Sequence, residues 1–300
     1  MKGIYSWALA VIITLAAVFS QRSTGPSQPE KQQIEINKAS FKASFPRSLV
    51  RPCDQAKEIP LTVALSSTQE EWEKILGIVL YYKRHPSNDV FTAVVPTFSV
   101  DKNKLRVEAL IPMQPAAGKI TYYLQLIGSD GSTVNSRHAI LRFRNHVPEL
   151  ILILHILFVF FAFLFSTFTG IYTFAGKTKI NPYALITILL LFTGGFILGP
   201  LVQKYAFNVW WSGWPLGRDM TDNKTLIAFL TWIAAYVLNR IPFSSARLCQ
   251  WRRYLYLVAA LVTMAVYSIP HSTAGSQYNY ETGTIVTGRD TAAEPTQSPE

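Results

Sequence analysis

Three hundred residues that are 49% hydrophobic and only 15% charged are a poor match for a water-soluble protein, whose surface demands more charge than that. The net charge of +10 does not point to nucleic acid, because the excess sits in short segments beside apolar runs and leaves no basic stripe with interleaved aromatics.

Lys2 precedes an apolar stretch from Ile4 to Phe19, and Val18 and Ser20 stand before Gln21 as a signal-peptidase site requires. Residues 1–20 are therefore expected to be a signal peptide or an uncleaved signal anchor. Residues 21–33, rich in Ser, Pro and Gln, read as a flexible tether.

Over 34–147 the pattern changes to short alternating segments. Leu61, Val63 and Leu65 share one face, as do Leu105, Val107 and Ala109, and again Ile120, Tyr122, Leu124 and Leu126, while Ile78 to Tyr82 is continuously apolar or aromatic. Turn signals separate them at His85–Asp89, Asp101–Lys104, Pro115–Gly118 and Ser129–Gly131. This spacing predicts an extracytoplasmic all-β sandwich. The string AGKITYYLQLIGSDGSTV resembles the late strands of fibronectin type III and immunoglobulin-like domains, and YYKRHPSND is similar to an earlier strand and turn. The resemblance implies a fold that binds or positions other proteins, and it implies no catalysis.

Val147-Pro148-Glu149 then leads without a flexible linker into the first of four expected membrane-spanning helices, a bundle over 148–271. Leu150–Ala175 and Tyr183–Val202 are long enough to cross about 30 Å of hydrocarbon. The third helix is expected from Met220 to about Ile241, with Asp219 as N-cap and Asp222 favouring the positive helix end. The fourth is expected from Tyr254 to Ile269, after Arg252 and Arg253 and before Pro270. Residues 272–300, dominated by Ser, Thr, Gly, Pro and acidic side chains, read as a disordered exterior tail.

The loops orient this bundle. Lys2, Lys177, Lys179, Arg240, Arg247, Arg252 and Arg253 are unopposed by acid in their segments, and removing those seven from 28 leaves 21 basic against 18 acidic residues elsewhere. Positive charge of that kind belongs on the cytoplasmic side, which places 21–147 and the C-terminal tail outside. Cys53 and Cys249 then lie on opposite sides of a bilayer and cannot pair within one chain.

Two polar features stand out in the bundle. His155 sits roughly 9 Å inside the outer end of its helix and needs a partner in hydrocarbon. Paired with His271 it is a candidate haem ligand, and a hydrogen-bonded structural histidine is the plainer alternative. The densest polar cluster is the outer loop from Val209 to Thr225. Trp210, Trp211 and Trp214 suit a membrane interface, while Arg218, Asp219, Asp222, Asn223 and Lys224, joined by His271, are candidates for a site binding a headgroup, an anion or a partner. Asp219, Asp222 and His271 are also candidate metal ligands, though their spacing matches no recognised signature. Capping by Asp219, snorkelling by Lys224 and an Arg218–carboxylate pair form the structural alternative. Small and hydroxylated stripes, such as Ala162, Ser166, Thr169 and Thr173, are expected to face other helices, with the phenylalanines between 158 and 165 facing lipid.

The strings WSGWPLGRDMTDNKT and IPHSTAGS resemble those of uncharacterised bacterial inner-membrane proteins with an exported β-domain and four helices, which implies a bacterial plasma membrane and no activity. Together these features predict a non-catalytic membrane subunit or scaffold that presents its sandwich to another envelope membrane or periplasmic protein, with lipid as its surroundings and no role for nucleic acid. The alternatives are a haem-binding redox subunit built on His155 and His271, and a metal- or lipid-dependent enzyme with its site at residues 209–225. No cofactor is named by the sequence.

Overall fold

A computed structural model describes residues 2–25, 28–52, 56–101, 104–176, 179–242, 251–269 and 275–286. Cys53, Lys177, Arg247, Cys249 and His271 lie outside the described residues. The chain forms two compact units, one made of Met1–Gly25 with Val147–Gly275 and the other of Pro26–His146 with Ser276–Glu300.

The second unit is sheet-rich and sandwich-like. One sheet has the order β1 (Glu30–Ile36), β2 (Ala39–Phe45), β4 (Glu58–Ser66), β8 (Lys104–Pro112), β7 (Thr97–Asp101). The other runs β3 (Ser48–Val50), β11 (Ala139–Arg144), β9 (Lys119–Gly128), β5 (Ile75–His85), β6 (Thr92–Val94), with β10 (Thr133–Asn135) also pairing β9. Pairing is antiparallel except between β3 and β11. The alternation expected in β4, β8 and β9 is the alternation observed: Leu61, Val63, Val107, Ile120, Tyr122 and Leu124 point into one shared core. Tyr122 brings a polar tip into that core and donates its hydroxyl to the Pro46 carbonyl (2.6 Å).

The four-residue helix α2 (Gln69–Trp72) follows β4 and carries a capping box built on Thr68 and Glu71. The Glu71 carboxylate accepts from the backbone of Ser40 (3.0 Å) and Thr68 (3.2 Å) and from the Ser67 hydroxyl.

Two boundaries differ from those expected. Helix α1 runs Lys2–Thr24 and β1 begins at Glu30, so the tether expected over 21–33 shrinks to a few residues. In the stretch 30–33, Lys31 and Gln33 take outward positions of the strand, while the inward Gln32, followed by Ile34 and Ile36, is buried with its side-chain amide bonded to the Arg137 backbone. The tail expected to be disordered over 272–300 instead holds a hairpin, β12 (Gln277–Asn279) and β13 (Thr284–Val286), that belongs to the sheet-rich unit. Its hold is specific: Tyr280 Oη accepts from the Lys119 amide (3.1 Å) and donates to the Lys119 carbonyl (2.8 Å).

The first unit is helical: α1, α3 (Glu149–Phe174), α4 (Asn181–Leu191), a π-helical turn (Phe192–Leu198), α5 (Gly199–Phe207), α6 (Met220–Arg240) and α7 (Tyr254–Ser268). Gly3–Thr24, Glu149–Phe174 and the continuous run Asn181–Phe207 are long and apolar enough to cross a membrane. Of the four C-terminal spans expected, two meet that measure; α7 is apolar but has 15 residues, and α6 carries Asp222, Lys224 and Arg240.

Close approach of helices rests on the small stripes. Ala162, Ser166, Thr169 and Thr173 of α3 are all buried, and a Cβ at Gly170 would lie 2.7 Å from the Ala260 Cβ of α7. Trp232 of α6 donates its indole N–H to Thr263 of α7 (2.9 Å). The phenylalanines correct the expectation of a lipid-facing stripe. Phe163 is buried and stacks on Tyr267 (4.4 Å), while Phe165 meets Trp7 of α1 edge-on. Phe163 is covered by α7, whereas Phe165 is covered by α1, whose Trp7 also stacks on Phe168 (4.0 Å) and whose Ala10 and Thr14 are fully buried.

Candidate functional site

Hydrogen bonds tie one set of helix ends together in the helical unit. The Ile269 carbonyl, just after α7, accepts from Lys224 Nζ of α6 (2.5 Å) and from Gln21 Nε2 of α1 (3.3 Å). The opposite set is joined by Tyr256 Oη to Asn181 Oδ1 (2.9 Å) and Asn239 Nδ2 to the Arg252 carbonyl (3.0 Å). The segment 208–219 lies at the first of these ends, between α5 and α6.

Its path follows from its residues. Asn208 ends α5 in the left-handed region (φ 61°), with its N–H on the Lys204 carbonyl (2.9 Å). Trp214–Pro215 is cis, and the Gly217 amide returns to the Gly213 carbonyl (2.8 Å). Gly213 lies against α6, where a Cβ would come within 2.6 Å of the Asp222 Cβ. Asp219 is the N-cap expected for α6, accepting from the Thr221 amide (2.7 Å).

Ser212, fully buried, is the hub. Its amide donates to Asp222 Oδ2 (2.7 Å), its carbonyl accepts from the Asp219 amide (2.8 Å), and its Oγ lies 3.2 Å from Asp219 Oδ2 and 3.1 Å from Asp222 Oδ2. Gln203 of α5 completes the cluster, its amide nitrogen turned to Asp222 Oδ2 (3.3 Å) and the Trp210 carbonyl (3.1 Å), its oxygen facing Ser212 Oγ. Asn223 Oδ1 accepts from the Trp214 amide (2.7 Å), and Trp211 donates its indole N–H to the Trp214 carbonyl (3.1 Å) while stacking on Phe196.

Of the residues singled out in sequence, Asp219, Asp222, Asn223, Trp211 and Trp214 are thus brought together. Trp210 and Trp214 are exposed, with Lys204 Nζ 5.7 Å from the Trp210 ring centre. Arg218 is exposed, and no carboxylate among the described residues pairs with it, against the pair expected. Lys224 corrects the expectation of snorkelling: only 4% of it is exposed, and its ammonium turns inward to the carbonyl end of α7. His155 is not part of this loop. Its Nδ1 donates to the Gly194 carbonyl (2.9 Å) in the π-helical turn, a carbonyl that also accepts from the Gly199 amide. A Cβ at Gly195 would meet Thr225 at 2.5 Å and one at Gly199 would meet His155 at 3.7 Å.

Ser212 and Gln203 were not singled out, and a lone Ser between Trp211 and Gly213 carries no signal of a hub. Among the described residues no group of three or more His, Cys, Asp or Glu is placed to hold a metal ion. The arrangement is chemically a clasp: two carboxylates, an amide and a hydroxyl satisfy the turns of one loop.

No family model and no curated protein matches this chain. Among solved structures, Astrotactin-2, described as a conserved vertebrate-specific and perforin-like membrane protein involved in neuronal development, is similar over 83% of this chain at 11% identity and a TM-score of 0.24. The match spans 37% of that protein's chain, and at that score it carries no argument about fold or function.

Proposed function

We infer that the protein is a multi-pass membrane scaffold, a non-catalytic subunit of a bacterial plasma membrane that presents its β-sandwich, of fibronectin III or immunoglobulin-like type, to a protein partner on the outer side. The observation that carries this reading is the consumption of the outer cluster by its own loop. Ser212, Asp219, Asp222 and Asn223 close turns and cap α6, which is work that holds a shape. The exposed Trp210, Trp214 and Leu216 on that loop suit an interfacial rim. Basic residues supply the orientation: Lys179, Arg240, Arg252 and Arg253 belong to the end joined through Asn181 and Asn239, and the positive-inside rule assigns that end to the cytoplasm.

Extraction from native membranes in several mild detergents, followed by size and mass analysis, tests the reading. A complex larger than the chain with its detergent, containing one reproducible partner protein, is the expected outcome. A strictly monomeric particle in every detergent overturns it.

A further inference from the structure

The two outward faces of the sheet-rich unit differ in chemistry. On the β1-β2-β4-β8-β7 sheet, outward positions carry both signs, as in Lys42, Glu58, Arg106 and Glu108, which is an ordinary solvated surface. On the other sheet, the charged residues at outward positions of β5, β9 and β11 are Lys83, Lys119, Arg142 and Arg144, and no Asp or Glu occupies any of those positions. The nearby Asp89 is already held by Arg84 in a two-pronged ion pair.

Aromatic rings stand in the middle of this cationic face. Tyr81 and Tyr123 are cross-strand partners and stack (5.0 Å, 6°); Phe91 meets Tyr123 edge-on (5.1 Å); His138 lies beside both Phe91 and Tyr123. Lys83 Nζ is 5.1 Å from the Phe91 ring centre. Val90 and Val95, in the segments next to Phe91 and β6, are 87% and 81% exposed. Rings and cations on one face, with no carboxylate at its outward strand positions and exposed valines in the adjoining segments, are the composition of an interface core rather than of a solvated sheet.

The chain itself shows what kind of molecule the face takes. At one end, Arg142 Nη2 donates to the Ser276 carbonyl (2.5 Å), Lys119 Nζ to Gln277 Oε1 (2.8 Å), and Arg84 lies 5.2 Å from the Tyr280 ring centre. Extended polypeptide with an aromatic anchor therefore fits there already. A flat sugar ring fits less well, because Tyr81 and Tyr123 spend ring faces on each other.

We propose that the ring cluster on the outward face of β5 and β9 is a docking surface for an acidic segment of another protein, bearing aromatic or aliphatic anchors that pack on Tyr123, Phe91 and the two valines while its carboxylates meet Lys83. The inference rests on the scaffold reading and names the surface through which it works.

The test is photo-crosslinking of the full chain in its native membranes, with benzoylphenylalanine placed at Val90, at Ile140 on β11, or at Lys42 on the opposite sheet as control. Expected are crosslinks from positions 90 and 140 to a protein segment of net negative charge, none from 42, and a yield at least about tenfold lower when Lys83→Glu is added. An unchanged melting temperature of K83E shows that the fold is kept. Protein crosslinks from 42 alone overturn this surface and leave the scaffold reading standing. Capture at 90 and 140 of a neutral or basic segment, of glycan or of lipid, or capture indifferent to Lys83→Glu, overturns the proposal. No protein crosslink from any position sinks both.

Discussion

Gly170 sets how closely α3 and α7 approach, since any side chain there meets the Ala260 Cβ at 2.7 Å, and both helices would have to part to admit it. Gly170→Val is expected to lower stability by about 1–3 kcal/mol, read as a drop in the melting temperature of the detergent-solubilised chain; an unchanged melt would mean that the helices slide freely. In the sheet-rich unit, burial first and the Arg142 charge second push the Lys119 ammonium down to about 8. An unfolded lysine titrates near 10.4, so between those two values the unfolded chain holds more protons and stability rises with pH. Denaturation at pH 8 and pH 10 should show that rise and Lys119→Met should abolish it. Glu71 gives a slope of the same sign in a lower window: its hydrogen bonds with Ser67, Ser40 and Thr68 pull it down to about 2, so stability again rises with pH between the folded and unfolded values. Its contribution is complete above an unfolded value of about 4.3 and is lost as pH falls through about 2, a slope that Glu71→Gln should flatten. Some residue roles are legible from local pattern. Asp219 before Met220 reads as an N-cap because capping depends on three neighbouring residues. Ser212 does not, because its partners Gln203, Asp219 and Asp222 come from two helices.

At the scale of elements, alternation makes β4, β8 and β9 readable, since each buries one face and the period of two survives in the sequence. The β1–β2 hairpin carries the same period, but the Ser, Pro and Gln composition before it hides where β1 begins, and its turn is Asn37-Lys38 rather than a glycine pair. Both residues sit in the left-handed region (φ 51° and 61°), and the Asn37 amide is held by Asp130 (2.9 Å) from the distant β9–β10 turn. The β12–β13 hairpin is hidden for a related reason: a two-stranded hairpin whose only aliphatic residues are Ile285 and Val286 has no core of its own, and order comes from docking Tyr280 and Gln277 on β9. Tyr280→Phe removes both hydrogen bonds to the Lys119 backbone at about 1 kcal/mol each. Amide exchange at Lys119 should then quicken severalfold while exchange at Leu124, deep in β9, stays as it was; equal protection at Lys119 would show that the hairpin is held by other contacts.

For the whole molecule, the packing of α1 decides what becomes of the N-terminus. Its Ala10 and Thr14 are buried in the helical unit, Trp7 stacks on Phe168 and Gln21 bonds the carbonyl end of α7, so cleavage after Ser20 would strip a packed helix from α3. Intact-mass measurement of the protein from native membranes is expected to find Lys2–Thr24 retained; a mature chain starting at Gln21 would refute this. Topology is checked with an impermeant thiol reagent on intact cells. Single cysteines at the exposed positions Arg218 and Glu281, in a Cys53→Ser background, should be modified and Cys249 spared. Labelling of Cys249 from outside would invert the orientation.

Composition and periodicity alone determined the division into an apolar N-terminal helix, a sheet-rich middle and further apolar helices, because long apolar runs and period-two alternation are properties of contiguous segments. Tertiary structure alone decided which polar groups meet. Lys224 turns to the Ile269 carbonyl, His155 to Gly194 in the π-helical turn, and two aspartates converge on Ser212. Each of those contacts joins residues far apart in the chain or on different helices, and burial forces a polar group to take whatever partner the packing brings within reach.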